Sequence, residues 1–174
     1  MVVFQLLDIQ VLRYQQNWWG EAEFWRSITA HWVHANWLHL LLNAGGLILC
    51  MTIASPKWSW LRWTGYNLYL AIGISALFTL RNPELRWYVG YSGVLFGIYL
   101  LAAVDLYARD RLIALLLGGA IVTKVVLEQT SDIRITTGDM IGVPVIIDAH
   151  LYGLLLGLSI ALARRVYTIW ITRI

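Results

Sequence analysis

The chain has 174 residues, 59% of them hydrophobic and only 13% charged. A soluble domain of this size carries about twice that charged fraction, so the composition excludes one and describes a polytopic membrane protein. The net charge is +3, but the 13 Lys and Arg are scattered over short polar segments, which reads as topology signals and lipid anchors, not as a nucleic-acid surface.

In chain order, residues 1–24 are the least regular part. Met1 to Leu7 is apolar, but Asp8 ends it far short of a span, and polar residues lead to Trp18 and Trp19. This predicts the tail of a helix followed by an interfacial segment. No basic n-region or cleavage site marks a signal peptide. Thirty residues without a formal charge separate Arg26 from Lys57, and within them Trp37–Ala54 is expected to cross the membrane. Ser55-Pro56-Lys57 stops that helix, because proline lacks the donor that would continue it. Trp58, Trp60 and Trp63 read as an interfacial belt.

Further spans are expected at 64–80, 87–104, 112–127 and 145–163, with residues 128–144 as the longest polar connection. Lys124 is expected to snorkel to the surface from near the end of the 112–127 span. Ala149, Gly153 and Gly157 recur every four residues, a face of small side chains that permits close helix contact. The single cysteine, Cys50, has no partner, so disulfides play no part in the fold. The expected architecture is an all-α membrane bundle with five complete spans and an N-terminal stub of a sixth, forming one domain over residues 1–174.

The spans beginning near residues 37, 87 and 145 alternate with the other two, so all three start at one face. The opposite face would carry Lys57, Arg62, Arg109, Arg111, Arg164, Arg165 and Arg173, and the positive-inside rule makes it cytoplasmic. At the outer face the expected helix starts bring together His34, His39 and Asn43, then Ser92, then His150. His39 and Asn43 are four residues apart and share a side of their helix. A hydroxyl, a base that titrates near neutrality and polar donors make an acyl-transfer constellation. Small residues around a membrane serine serve packing in many helices, so the surrounding motifs decide the reading.

Those motifs are Trp25-Arg26, His34-x4-His39-x3-Asn43, Gly90-Tyr91-Ser92-Gly93 and Ala149-His150-x2-Gly153. Together, in this order, they resemble the rhomboid family of intramembrane serine proteases over residues 25–157. The small size and the Gly142-Val143-Pro144 approach to His150 resemble its rhombosortase branch, which is thought to process proteins bearing a C-terminal Gly-Gly membrane anchor. The resemblance implies a dyad of Ser92 as nucleophile and His150 as general base, with no acidic third member. It also implies His39 and Asn43 as oxyanion donors and no cofactor or metal. His34, Gly90, Gly93, Gly153, Trp25 and Arg26 are implied as supporting residues. The substrates implied are single-span membrane proteins cut near the outer boundary of a bacterial inner membrane.

Two departures stand out. Phe96 occupies the place of a family tyrosine one turn after the serine, and the first of the family's core helices is represented only by the stub. Asp148, two residues from His150, points elsewhere on a helix and is expected as an interfacial carboxylate. His31 is expected in interfacial packing, Arg26 in holding its loop through backbone carbonyls, and residues 128–144 as a mobile cap. Rival readings are a non-catalytic rhomboid-like protein that binds membrane clients, and a haem or metal protein using its histidines. The zinc-protease pattern His-Glu-x-x-His is absent, and Gly90-x-Ser92-x-Val94 departs from the soluble-hydrolase elbow Gly-x-Ser-x-Gly.

Overall fold

The computed structural model describes residues 1–54, 56–130 and 137–171. Short elements come first: α1 (Val2–Gln5), α2 (Ile9–Leu12), β1 (Tyr14–Gln15) and α3 (Arg26–Thr29). The long helices are α4 (Trp37–Ala54), α5 (Trp60–Arg81), α6 (Ser92–Leu106), α7 (Arg111–Thr130) and α9 (Asp148–Ile171). Between them lie β2 (Trp87–Tyr88) and α8 (Thr137–Ile141).

Five helices thus stand at the five expected positions, but they are not alike. Only α4, α7 and α9 are both long and apolar enough to cross a membrane. Helix α5 has the length, with 22 residues, but carries polar groups such as Asn67 and Ser75 into the core. Helix α6 is apolar but only 15 residues long. It is apolar on most sides because α4, α5, α7 and α9 pack around it. Val94, Ile98, Leu101 and Ala102 along it are completely buried.

The N-terminal region is more than an interfacial tail. Tyr14 and Gln15 pair antiparallel with Tyr88 and Trp87, just ahead of the serine. Tyr14 is fully buried, its ring 5.5 Å from Phe78 and its hydroxyl 3.0 Å from Thr79 Oγ1, which also accepts from Trp18 Nε1 at 2.9 Å. An aromatic ring with a satisfied polar tip explains why so polar a segment docks here.

Arg26 does hold its loop through carbonyls. Its Nη1 donates to Gln10 O at 2.8 Å and Arg13 O at 2.9 Å, while Nε meets Glu23 Oε2 at 2.5 Å. That hydrogen bond holds the Glu23 carboxyl below its ordinary pKa. Charge-assisted bonds to carbonyls contribute about 1.5–3 kcal/mol each, and the guanidinium fork serves two of them at once. Arg26→Ala is therefore expected to lower the thermal unfolding midpoint in detergent clearly, and Arg26→Lys to restore only part of it. Equal midpoints for all three proteins would remove this role.

His31 departs from its expectation. It is wholly buried, with Nε2 3.1 Å from Ser75 Oγ, and Ser75 Oγ donates to Ser27 O at 3.0 Å. Burial pushes its pKa down to about 3, so it is a neutral core link between the loop and α5. At the other end of the bundle, Arg164 meets Asp105 at 2.6 Å and Trp58 Nε1 donates to the same carboxylate at 2.5 Å. This cluster joins α6, α9 and the α4–α5 connection. Arg173 lies outside the described residues.

Candidate active site

Ser92 is the first residue of α6, five residues later than the start of the apolar run from which the helix was expected to begin. The delay has a local cause. Gly90 has φ +125, which is incompatible with a right-handed helix and suits glycine. Its N–H donates to Ala30 O at 3.0 Å, and its carbonyl accepts the Tyr88 hydroxyl at 2.6 Å. Tyr91 is buried and donates to Asn67 Oδ1 on α5 at 2.6 Å. Both sides of the turn are thereby pinned, and the serine emerges at a defined place.

His150 lies in the first turn of α9, which Asn82 clamps. Asn82 Nδ2 donates to Asp148 Oδ2 at 2.6 Å and its Oδ1 accepts from the Tyr152 hydroxyl at 2.7 Å. Asp148 thus points to Asn82, away from His150, as its spacing requires. The approach of α9 to α6 depends on glycine at both surfaces. A Cβ on Gly153 would lie 1.8 Å from Gly93 O, and one on Gly93 would lie 2.8 Å from Ala149 O. Gly157 repeats the contact one turn on, 2.9 Å from Gly97 O. Backbone meets backbone along this seam.

The seam brings His150 Nε2 to 2.9 Å from Ser92 Oγ, although the residues are 58 positions apart. His150 as a whole residue is only 3% exposed, and Phe96 stacks on its imidazole at 4.3 Å between centroids and 9° between planes. Phe96 packs where expected, offering a flat apolar face and no hydroxyl.

Sequence reasoning missed the other neighbour of the imidazole. Glu128 Oε2 lies 2.7 Å from His150 Nδ1, and Glu128 Oε1 lies 2.7 Å from Lys124 Nζ. Glu128 belongs to the last turn of α7, not to the polar connection, because the helix runs on to Thr130. The i,i+4 spacing of Lys124 and Glu128 was the available signal that the helix continues past Leu127. Lys124 accordingly has a partner and does not simply snorkel.

A cavity of about 620 Å³ opens over the pair, lined by Ser92 and His150 together with His39 and Asn43 of α4. Asn36 caps α4, its Oδ1 accepting from His39 N at 2.9 Å, and its amide donates to Ile141 O at 2.6 Å. The His39 ring packs on Gly90, where a Cβ would come within 2.7 Å of His39 Cε1. Asn43 Nδ2 donates to His39 O at 3.0 Å, within its own helix. Val143, Pro144 and Ile146 cover another side of the cavity. Of the expected cap, residues 128–130 belong to α7 and residues 131–136 lie outside the described residues.

His34, Trp25 and Arg26 do not line the cavity. His34 is fully buried, its N–H and carbonyl both bonded to the Gln5 carboxamide at 3.0 Å and its ring 5.0 Å from that of His39. Trp25 is half-exposed and donates to Val11 O at 3.1 Å. Cys50 is buried and free. Among the described residues no group of three or more His, Cys, Asp or Glu side chains could hold a metal ion.

Helices apolar enough to span a bilayer, packed around a shorter helix that opens on a serine, make this an integral membrane protein of the bundle type. Residues 21–166 match the family model described as the rhomboid domain, and the chain belongs to the rhomboid family. Members of that family are in general intramembrane serine proteases, acting on transmembrane substrates in the lipid bilayer. No curated protein and no solved structure matches the chain.

Proposed function

We propose that this protein is an intramembrane serine endopeptidase that cleaves single-span membrane proteins through Ser92 and His150. The observation that carries the reading is the 2.9 Å contact between Ser92 Oγ and His150 Nε2 in a largely apolar cavity that His39 and Asn43 also line. Ser92 Oγ attacks the scissile carbonyl while its proton passes to His150 Nε2. The tetrahedral intermediate then collapses, the same proton goes to the leaving amine, and a water molecule repeats the sequence on the acyl-enzyme. The oxyanion forms near the start of α6, where the first N–H groups have no partner within the helix and the dipole favours negative charge. His39 and Asn43 are the proposed side-chain donors; one such donor contributes about 10²–10³ in rate.

We read α4, α5, α6, α7 and α9 as five spans of one domain. Helix α6, at about 1.5 Å per residue, is roughly 22 Å long and falls short of the ~30 Å hydrocarbon core, which leaves Ser92 recessed below the boundary. The Lys and Arg at the opposite end support a cavity that faces the outer side of the membrane, in our reading a bacterial inner membrane. Unpaired backbone in lipid costs several kcal/mol per group, so substrates unwind most readily where Gly, Ala or Ser lies near that boundary. Residues 137–144 serve as the described part of the cap, and the Gly142-Val143-Pro144 segment supports a reading within the rhombosortase branch, with substrates anchored by a C-terminal Gly-Gly membrane segment. A fluorophosphonate probe is expected to label the protein in membranes at Ser92. Labelling elsewhere, or none, would favour a non-catalytic client-binding protein.

A further inference from the structure

We infer that Glu128 is a positioning residue that turns the Ser92–His150 pair into a three-membered relay, with Lys124 holding its second oxygen. This rests on the protease reading above and adds to it an acidic member from the end of α7. Both bonds of Glu128 are short: 2.7 Å to His150 Nδ1 and 2.7 Å to Lys124 Nζ. The carboxylate is 15% exposed and the imidazole 4%, so neither is an open surface pair.

The chemistry follows from what each atom can do. An ionised carboxylate only accepts, so Nδ1 must carry the proton. A neutral imidazole then has its lone pair on Nε2, facing the serine hydroxyl. Without Glu128 the other tautomer, with N–H toward Ser92, becomes available and has no place for the proton of Oγ. During attack the Oγ–C bond forms, the Oγ proton moves to Nε2, and Nδ1–H stays on the ring. Glu128 gains no proton; its charge stabilises the imidazolium until Nε2 delivers its proton to the leaving amine as the C–N bond breaks. The bond from the imidazole and the charge of Lys124 together favour the ionised form of Glu128.

Charged and titratable groups of the other elements around the cavity are His39 of α4, Glu84 and Arg86 of the segment before β2, Tyr88 of β2 and Asp148 of α9. Asp148 is committed to Asn82. Glu128 is thus the carboxylate in contact with the ring.

The test uses the full chain in detergent or membranes with a single-span reporter. Glu128→Gln keeps the shape and removes the charge. It is expected to lower kcat by about 10²–10⁴ with KM little changed. Glu128→Asp, which keeps the charge, should recover part of the rate. Wild-type protein should also show a downfield proton resonance from His150 Nδ1–H that disappears in His150→Ala, a measurement that does not depend on a Glu128 variant folding. A Gln variant with kcat within threefold of wild type, or a missing resonance, would overturn the role of Glu128 while wild-type cleavage and Ser92 labelling leave the protease reading intact. A wild type that neither cleaves nor labels overturns both.

Discussion

Replacing Ser92 or His150 with alanine is expected to abolish cleavage of a co-expressed single-span reporter, with a fall in rate of about 10³–10⁶. Ser92→Ala removes the proposed nucleophile, and His150→Ala removes the imidazole proposed to take its proton. The double variant should be no worse than either single one, since groups that act as a unit are not additive. Neither change should eject the protein from the membrane. The Ser92 side chain does not cap α6, so alanine is tolerated at that helix position. Loss of the imidazole still leaves Glu128 paired with Lys124 at 2.7 Å. Reporter cleavage by immunoblot, with membrane fractionation of each variant, makes the measurement. Cleavage that persists in either variant refutes the dyad.

Gly153→Ala is the second change with a large expected effect, and its target carries no chemistry. The added carbon would sit 1.8 Å from Gly93 O and 2.8 Å from Gly93 C. These are main-chain atoms, so no rotamer change relieves the overlap. Helices α6 and α9 have to separate. Overpacking of this kind costs about 1–3 kcal/mol or more. Since Gly153 is one turn from His150, separation also carries the imidazole away from Ser92, and a displacement of about 1 Å at a reacting pair costs ~10² in rate. Gly45→Ala and Gly119→Ala are the controls, because an added Cβ at either meets nothing within 4 Å. Reporter cleavage and the unfolding midpoint in detergent should both fall for Gly153→Ala and hold for the controls. A Gly153→Ala protein with wild-type values of both would show that the seam is looser than described.

Much of this arrangement is legible in the residues themselves, and the limits are instructive. The small-residue face of α9 is visible as a four-residue repeat, and so is the divergence of Asp148 from His150, because both are consequences of helical period. The late start of α6 is not visible in hydropathy. Residues 87–91 are as apolar as a helix, and only the backbone of Gly90 and the pairing of residues 87 and 88 with the N-terminal segment keep them extended. Hydropathy also misjudges α5, whose Asn67 and Ser75 are satisfied by Tyr91, His31 and the loop, not by water. Glu128 escaped for the same reason in reverse. A carboxylate after an apolar run reads as the beginning of a loop, yet a lysine one turn earlier and an imidazole on a neighbouring helix make it a helix residue facing inward. Tertiary partners, not local composition, decide such positions.

The Gly93–Gly153 crossing has a kinetic corollary. Where two main chains touch directly, no soft layer lies between them to absorb or transmit a shift. On the proposed reading, Ser92 and His150 are preset before any client arrives, with no assembly step to await. Turnover is then expected to be throttled upstream, at the entry of an unwound segment into the chamber, and mutations that ease entry should speed cleavage without altering the reactivity of Ser92 toward a small probe.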